Sequence, residues 1–73
     1  MYYYLKIRYK DGHQEKIKLE REEFNRILTL SDEGSKLGGI GNIDGEIINI
    51  NYNNIANLRL VIDATEIIRN RFK

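Results

Sequence analysis

The sequence contains no cysteine, no proline and no tryptophan, and its one histidine is His13. Without cysteine, the chain can form neither a disulfide nor a thiolate metal site. A single histidine cannot supply the imidazole ligands of a histidine-based zinc site. No apolar run approaches the roughly 20 residues of a membrane-spanning helix. We therefore expect no cofactor, no metal site and no membrane partner.

The start of the chain alternates polar and apolar residues, whereas a signal peptide has a basic segment followed by an apolar one. The lack of cysteine also agrees with a reducing cytosol, so we expect a cytoplasmic location. Twelve isoleucines and eight asparagines indicate AT-rich coding DNA. On this composition we expect a phage or mobile-element protein of a low-GC bacterium.

The chain has 73 residues, which predicts a single domain over residues 1–73 with a small core. Natural domains of this size often gain stability from disulfides, a metal or a partner subunit. Because the first two are excluded, we expect a homo-oligomer. The net charge of +1 argues against general polyanion binding, but the first 18 residues hold five cations and two anions.

A β-hairpin is predicted over residues 2–19, because two alternating segments flank an Asp-Gly turn. A two-residue loop would place Lys6 opposite Ile17 and mix charged with apolar side chains. A three-residue loop, with Gly12 in the left-handed conformation, places Leu5 opposite Ile17 instead. The apolar pattern favours this second register, because a one-residue slip moves every side chain to the other face.

This register places aromatic and basic side chains together on the second face of the hairpin. The expected contact residues are Tyr2, Tyr4, Lys6, Arg8, Lys16 and Lys18. Lys6 would lie opposite Lys16, which is unfavourable unless another group compensates. Tyrosine and arginine are enriched at protein-binding hot spots, and rings beside cations can also bind bases and phosphates. The alternative is an ordinary solvated face that protects the sheet from aggregation.

A helix is predicted over about residues 20–30, because Phe24, Ile27 and Leu28 have helical spacing. The helix should pack on the apolar face of the hairpin, and a polar loop should begin at Ser31. The nearby acids lack the spacing of a calcium loop and are interpreted as a solvated helix face. These acids are Glu20, Glu22, Glu23, Asp32 and Glu33.

The second half of the chain predicts further strands over residues 46–51 and 55–62. Alternation in the second of these strands places Ala56, Leu58, Leu60 and Ile62 on one face. Asp44-Gly45 indicates a hairpin turn, and a two-residue loop would place Gly41 opposite Ile48. The glycine segment before this turn matches no phosphate-binding pattern. We interpret it as a hairpin strand whose glycines allow close backbone packing.

The C-terminal segment predicts a short helix, because Asp63 and Glu66 have the spacing of a capping box. Its apolar residues Ile67, Ile68 and Phe72 would pack on the core or form an oligomer contact. A helix that binds a groove is a further alternative. The complete prediction is an α+β fold with a small, mainly antiparallel sheet in the order ββα-βββ-α. One helix packs on the sheet and a short C-terminal helix ends the chain.

The sequence offers no pair of acid and base groups for catalysis. His13 lacks a placed nucleophile and is interpreted as a solvated turn residue. We therefore expect a non-enzymatic accessory or inhibitory protein that binds an acidic protein partner. The second hypothesis is that the same face binds nucleic acid or a small phosphorylated nucleotide.

Overall fold

The architecture comes from a computed structural model, which describes residues 1–69. It has the predicted α+β class, with one helix, a four-stranded sheet and a two-stranded sheet in the described part. The strands are β1 Tyr3–Tyr9, β2 Gln14–Leu19, β3 Gly39–Gly41, β4 Ile47–Asn49, β5 Ile55–Ile62 and β6 Thr65–Arg69. The helix α1 spans Arg21–Glu33, and a 3-10 turn spans Tyr52–Asn54.

The larger sheet has the strand order β2-β1-β5-β6, and all its neighbours are antiparallel. The predicted register of the first hairpin is confirmed, because Leu5 pairs with Ile17. Gly12 has the expected positive φ, 92°. The N–H of Tyr9 donates to the carbonyl of His13 at 2.8 Å and closes the three-residue loop.

One face of the larger sheet is covered by α1, and the core lies between them. Phe24 and Ile27 of α1 are buried in the same cluster as Leu5, Ile7 and the other apolar residues of the sheet.

The helix ends three residues beyond the predicted boundary, so the prediction of a polar loop from Ser31 was wrong. Ser31 is buried, and its hydroxyl donates to the carbonyl of Leu28 at 2.9 Å. This bond removes the cost of burying a polar side chain in the last turn.

A bulge shifts the start of β5. Arg8 pairs with Asn57, but Tyr9 pairs with Ile55, so Ala56 is an extra residue between them. Ile55 is therefore fully buried. The alternation in the sequence had predicted Ala56 on the apolar face, and the bulge exchanges it for the larger side chain.

The second hairpin, β3–β4, has a different register from the predicted one. Ile40 pairs with Ile48, and Gly41 pairs with Ile47. The loop has three residues, because the side chain of Asn42 accepts hydrogen bonds from the N–H groups of Asp44 at 3.0 Å and Glu46 at 2.9 Å. The predicted pairing of Gly41 with Ile48 was therefore wrong. The observed register buries Ile40 completely.

The predicted C-terminal helix is replaced by strand β6 over Thr65–Arg69. Asp63 and Ala64 form a tight turn in which Asp63 has a φ of 53°. Residue Ile67 pairs with Leu60 of β5. The segment forms a strand instead of the helix that the capping box predicted, because β-branched residues favour strands. In addition, β5 offers hydrogen-bond partners to the backbone of the segment. Phe72 of the predicted helix lies outside the described residues.

Within residues 1–69, no helix has the length and apolar character needed to cross a membrane.

Candidate binding surface

The face of the larger sheet opposite α1 carries the predicted contact residues, and we call it the open face. Strands β1 and β2 place Tyr4, Lys6, Arg8, Lys16 and Lys18 on this face, as expected. Tyr2 precedes β1 and is 59% exposed. The complete open face consists of Tyr2, Tyr4, Lys6, Arg8, Gln14, Lys16, Lys18, Asn57, Arg59, Val61, Glu66 and Ile68.

The tertiary structure adds residues that the sequence reasoning missed. Strand β5 places Arg59 directly opposite Lys6, and β6 contributes Glu66. The order of strands in the sheet was needed to find them, because they lie more than fifty residues from Lys6 in the sequence. An alternating pattern in β5 could have suggested Arg59, but nothing in the predicted helix could have placed Glu66 in the sheet.

Lys6 and Lys16 lie opposite each other, as predicted, and two contacts offset their repulsion. The Lys6 Nζ lies 3.3 Å from a carboxylate oxygen of Glu66. The Lys16 Nζ lies 4.4 Å from the centre of the Tyr4 ring. A cation over an aromatic ring is attracted by the negative face of the ring. The acid from β6 and this ring therefore compensate for the paired lysines.

Tyr2 has a similar contact, because the Lys18 Nζ lies 5.2 Å from the centre of its ring. Each tyrosine is therefore held beside a lysine at the β2 side of the open face. Such pairs present an aromatic surface and a positive charge together. This combination suits a partner with both apolar and acidic groups.

A small pocket of about 50 Å³ lies at the centre of the open face. Its lining residues are Lys6, Ile7, Arg8, Gln14, Asn57 and Arg59. The Oδ1 atom of Asn57 is buried and has no hydrogen-bond partner. A buried acceptor without a partner costs free energy, so this position is a polar defect in the sheet.

A second polar group surrounds the loop of the first hairpin. The hydroxyl of Tyr9 donates to Glu15 at 2.7 Å, and burial together with this bond raises the pKa of Tyr9. His13 is exposed as predicted, and its ring centre lies 5.0 Å from that of Tyr9. Hydrogen bonds from the His13 N–H at 3.0 Å and from Asn54 lower the pKa of Asp11. These hydrogen bonds and the ring contact link the side chains around the loop of the first hairpin.

The acidic first turn of α1 is only partly solvated, because Glu23 and Arg26 attach the second hairpin to the helix. Glu23 accepts hydrogen bonds from Arg26 at 2.6 and 2.7 Å and from the N–H of Gly41 at 2.7 Å. Arg26 also donates to the carbonyl of Gly39 at 2.9 Å. The hydrogen bond from Arg26 is the main reason that the pKa of Glu23 is lowered. The two side chains therefore pair with the backbone carbonyl of Gly39 and the backbone N–H of Gly41 in β3. The close packing predicted for the glycines occurs at Gly39, where an added Cβ would lie 3.1 Å from the side chain of Ile47.

Two of the residues predicted for oligomer contact, Ile67 and Ile68, lie in strand β6 and not on a helix. Ile67 is half-buried and packs against the core, whereas Ile68 is 49% exposed on the open face. Arg69 donates to the carboxylate of Asp32 at 2.8 Å and so fixes the end of β6 to α1. A role for Ile67 and Ile68 in self-association stays a prediction.

No group of three or more potential metal ligands of the His, Cys, Asp or Glu type occurs among the described residues. No protein-family model, no curated protein and no solved structure matches the chain.

Proposed function

We propose that this chain is a small non-enzymatic binding protein that contacts an acidic protein partner through the open face. The observation that carries the proposal is the charge on this face. Its described part holds one carboxylate and five cations, although the net charge of the whole chain is +1. The five cations are Lys6, Arg8, Lys16, Lys18 and Arg59.

The form of the face also suits a protein partner. Tyr2, Tyr4 and Ile68 supply exposed or half-exposed apolar area among the cations. Aromatic residues and arginine are the side chains that most often dominate protein interfaces. The surrounding lysines steer an acidic partner toward the face and select against basic proteins. We therefore propose an accessory or inhibitory role, exerted by binding through the open face.

Serine substitutions of Lys6, Arg8, Lys16 and Lys18 should abolish partner binding and leave the fold intact, because their charged groups face solvent. Tagged wild-type and variant proteins are compared as baits by quantitative mass spectrometry. The control variant carries serine at three exposed cations outside the open face, Lys10, Arg21 and Lys36. Acidic proteins should be lost only from the serine variant. Equal capture by wild type and serine variant, with unchanged circular dichroism, would reject the open face as the contact surface.

Binding of nucleic acid or a phosphorylated nucleotide is the second candidate, since Tyr2 and Tyr4 lie beside cations on an open sheet. This arrangement resembles the stacking platforms of single-strand binders. It ranks second because the amino groups of Lys16 and Lys18 lie over the rings on which bases would stack. Anisotropy of a fluorescent oligothymidine, measured at increasing salt, tests it. Tight binding that weakens steeply with salt would favour this candidate over the first.

The proposal includes self-association through β6, which has one strand neighbour, β5, within the described residues. Its outer edge leaves backbone groups available to a second copy, and Ile68 is exposed beside it. Replacement of Ile68 by lysine should reduce the oligomer to the monomer in sedimentation velocity. The control is the same change at Ile47, which is 69% exposed on the second hairpin. A monomeric wild-type protein would refute self-association.

A further inference from the structure

The centre of the open face contains four polar side chains in two adjacent rows. Lys6 of β1 lies opposite Arg59 of β5, and Arg8 lies opposite Asn57. Side chains that are directly opposite in antiparallel strands have Cβ atoms about 5 Å apart. All four residues line the central pocket. The geometry therefore brings three cations and one amide around a single small volume.

The positive charge of this group is only partly compensated. Glu66 neutralises Lys6 at 3.3 Å. Arg8 and Arg59 form no ion pair with any residue in 1–69. Three cations and one carboxylate leave the pocket with about two uncompensated positive charges. Like charges opposite each other destabilise a sheet, so an anionic ligand that balances them would be favoured.

Asn57 adds hydrogen-bond donors to the pocket. Its amide makes no hydrogen bond within residues 1–69, and its Oδ1 is buried without a partner. The side chain nevertheless lines the pocket, where an amide can present two N–H donors. Its unused donors and the two guanidinium groups are complementary to a ligand with several acceptor oxygens.

We propose that the central pocket binds a phosphate monoester, carried by a phosphorylated side chain of the acidic protein partner. The inference rests on the proposed function and specifies the group that the open face recognises. A phosphorylated side chain carries a charge of about −1.5 to −2 and three acceptor oxygens, which matches two uncompensated cations. A carboxylate or a phosphodiester supplies one charge. Planar guanidinium groups also bind phosphate oxygens in pairs.

The test is an NMR titration of the ¹⁵N-labelled protein with N-acetyl-O-phosphoserine methylamide. The signals of Arg8, Asn57 and Arg59 should shift most, and the Kd should be at least about tenfold lower than for the aspartate analogue. Binding should weaken between pH 7.5 and 5.5, because the second phosphate pKa is about 6. The aspartate analogue has no such titration.

Two single substitutions separate the pocket from general surface charge. Arg59→Gln and Arg8→Gln should each raise the Kd about tenfold or more. Lys36→Gln removes one exposed charge outside the open face and should change the Kd less than twofold. Equal effects of all three substitutions, or equal affinity for the aspartate analogue, would overturn the proposal. Amide spectra of each variant report whether the fold persists.

Two further ligands identify the source of the phosphate. Inorganic phosphate that binds as tightly as the phosphoserine analogue would show a free-anion site and would reject a phosphorylated partner. Adenosine monophosphate that binds more than about tenfold tighter would assign the pocket to nucleotides and would also reject it. These titrations need no partner protein. Failure here together with loss of the acidic partner in the serine variant would reject the phosphate site alone.

Discussion

Replacement of Phe24 by alanine is expected to destabilise the protein by about 4 kcal/mol, within the range observed when a large aromatic side chain is removed from a core. Phe24 is 1% exposed, and its ring centre lies 5.0 Å from that of Tyr3. It joins α1 to the sheet. Because small domains have little stability to lose, most of the variant should be unfolded at 37 °C. Urea unfolding followed by circular dichroism measures the change.

Two control variants accompany this experiment. Phe24→Leu keeps most of the apolar volume and should cost clearly less than the alanine variant. Asn25→Ala changes the next residue of the helix, which is exposed, and should alter the stability by less than about 0.5 kcal/mol. A loss below about 1 kcal/mol in Phe24→Ala would contradict the packing of α1 on the sheet.

Replacement of Glu23 by alanine should have the second-largest effect, a loss of about 2 kcal/mol. The carboxylate accepts hydrogen bonds from Arg26 and from the Gly41 N–H, and its side chain is 19% exposed. Its removal leaves the Gly41 N–H without an acceptor and leaves Arg26 only its bond to the Gly39 carbonyl. An orphaned group of this kind typically costs about 1–3 kcal/mol. Glu22→Ala is the matched control, since Glu22 is exposed at the adjacent position. Equal losses in both variants would show that the contact between helix and hairpin contributes nothing.

The same pair predicts a dependence of stability on pH. The hydrogen bond from Arg26 lowers the pKa of Glu23 below its ordinary value of 4.5. The folded state therefore binds the proton less readily than the unfolded state. The stabilisation is complete above pH 4.5 and is lost as the pH falls through the lowered pKa. Urea unfolding at pH 6 and pH 3 should show a smaller acid-induced loss for Glu23→Gln than for wild type. An identical loss would contradict this role of the carboxylate.

The first hairpin could be predicted in detail because its information is local. Its strands are adjacent in sequence, and the apolar alternation allows only one of the two loop lengths to bury Leu5 and Ile17 together. The same reasoning failed at the second hairpin. There the glycines carry no apolar pattern on β3, and the side chain of Asn42 selects the three-residue loop.

The C-terminal segment shows how tertiary structure overrides a local preference. Asp63 and Glu66 match a helix start, but a short helix is only marginally stable by itself. The free edge of β5 offers backbone hydrogen bonds, and the half-buried side of β6 adds Ile67 to the core. The segment therefore adds a fourth strand to the sheet.

By itself, the sequence determined the α+β class, the first hairpin, the helix and the basic, aromatic composition of one sheet face. Periodicity and turn residues specify these features because they act over a few neighbouring residues. Only the tertiary structure decided that Arg59 lies beside Lys6, that Glu66 compensates it and that Glu23 holds the second hairpin. These contacts join residues distant in the chain, and they depend on the order in which the strands pair, which local patterns do not encode.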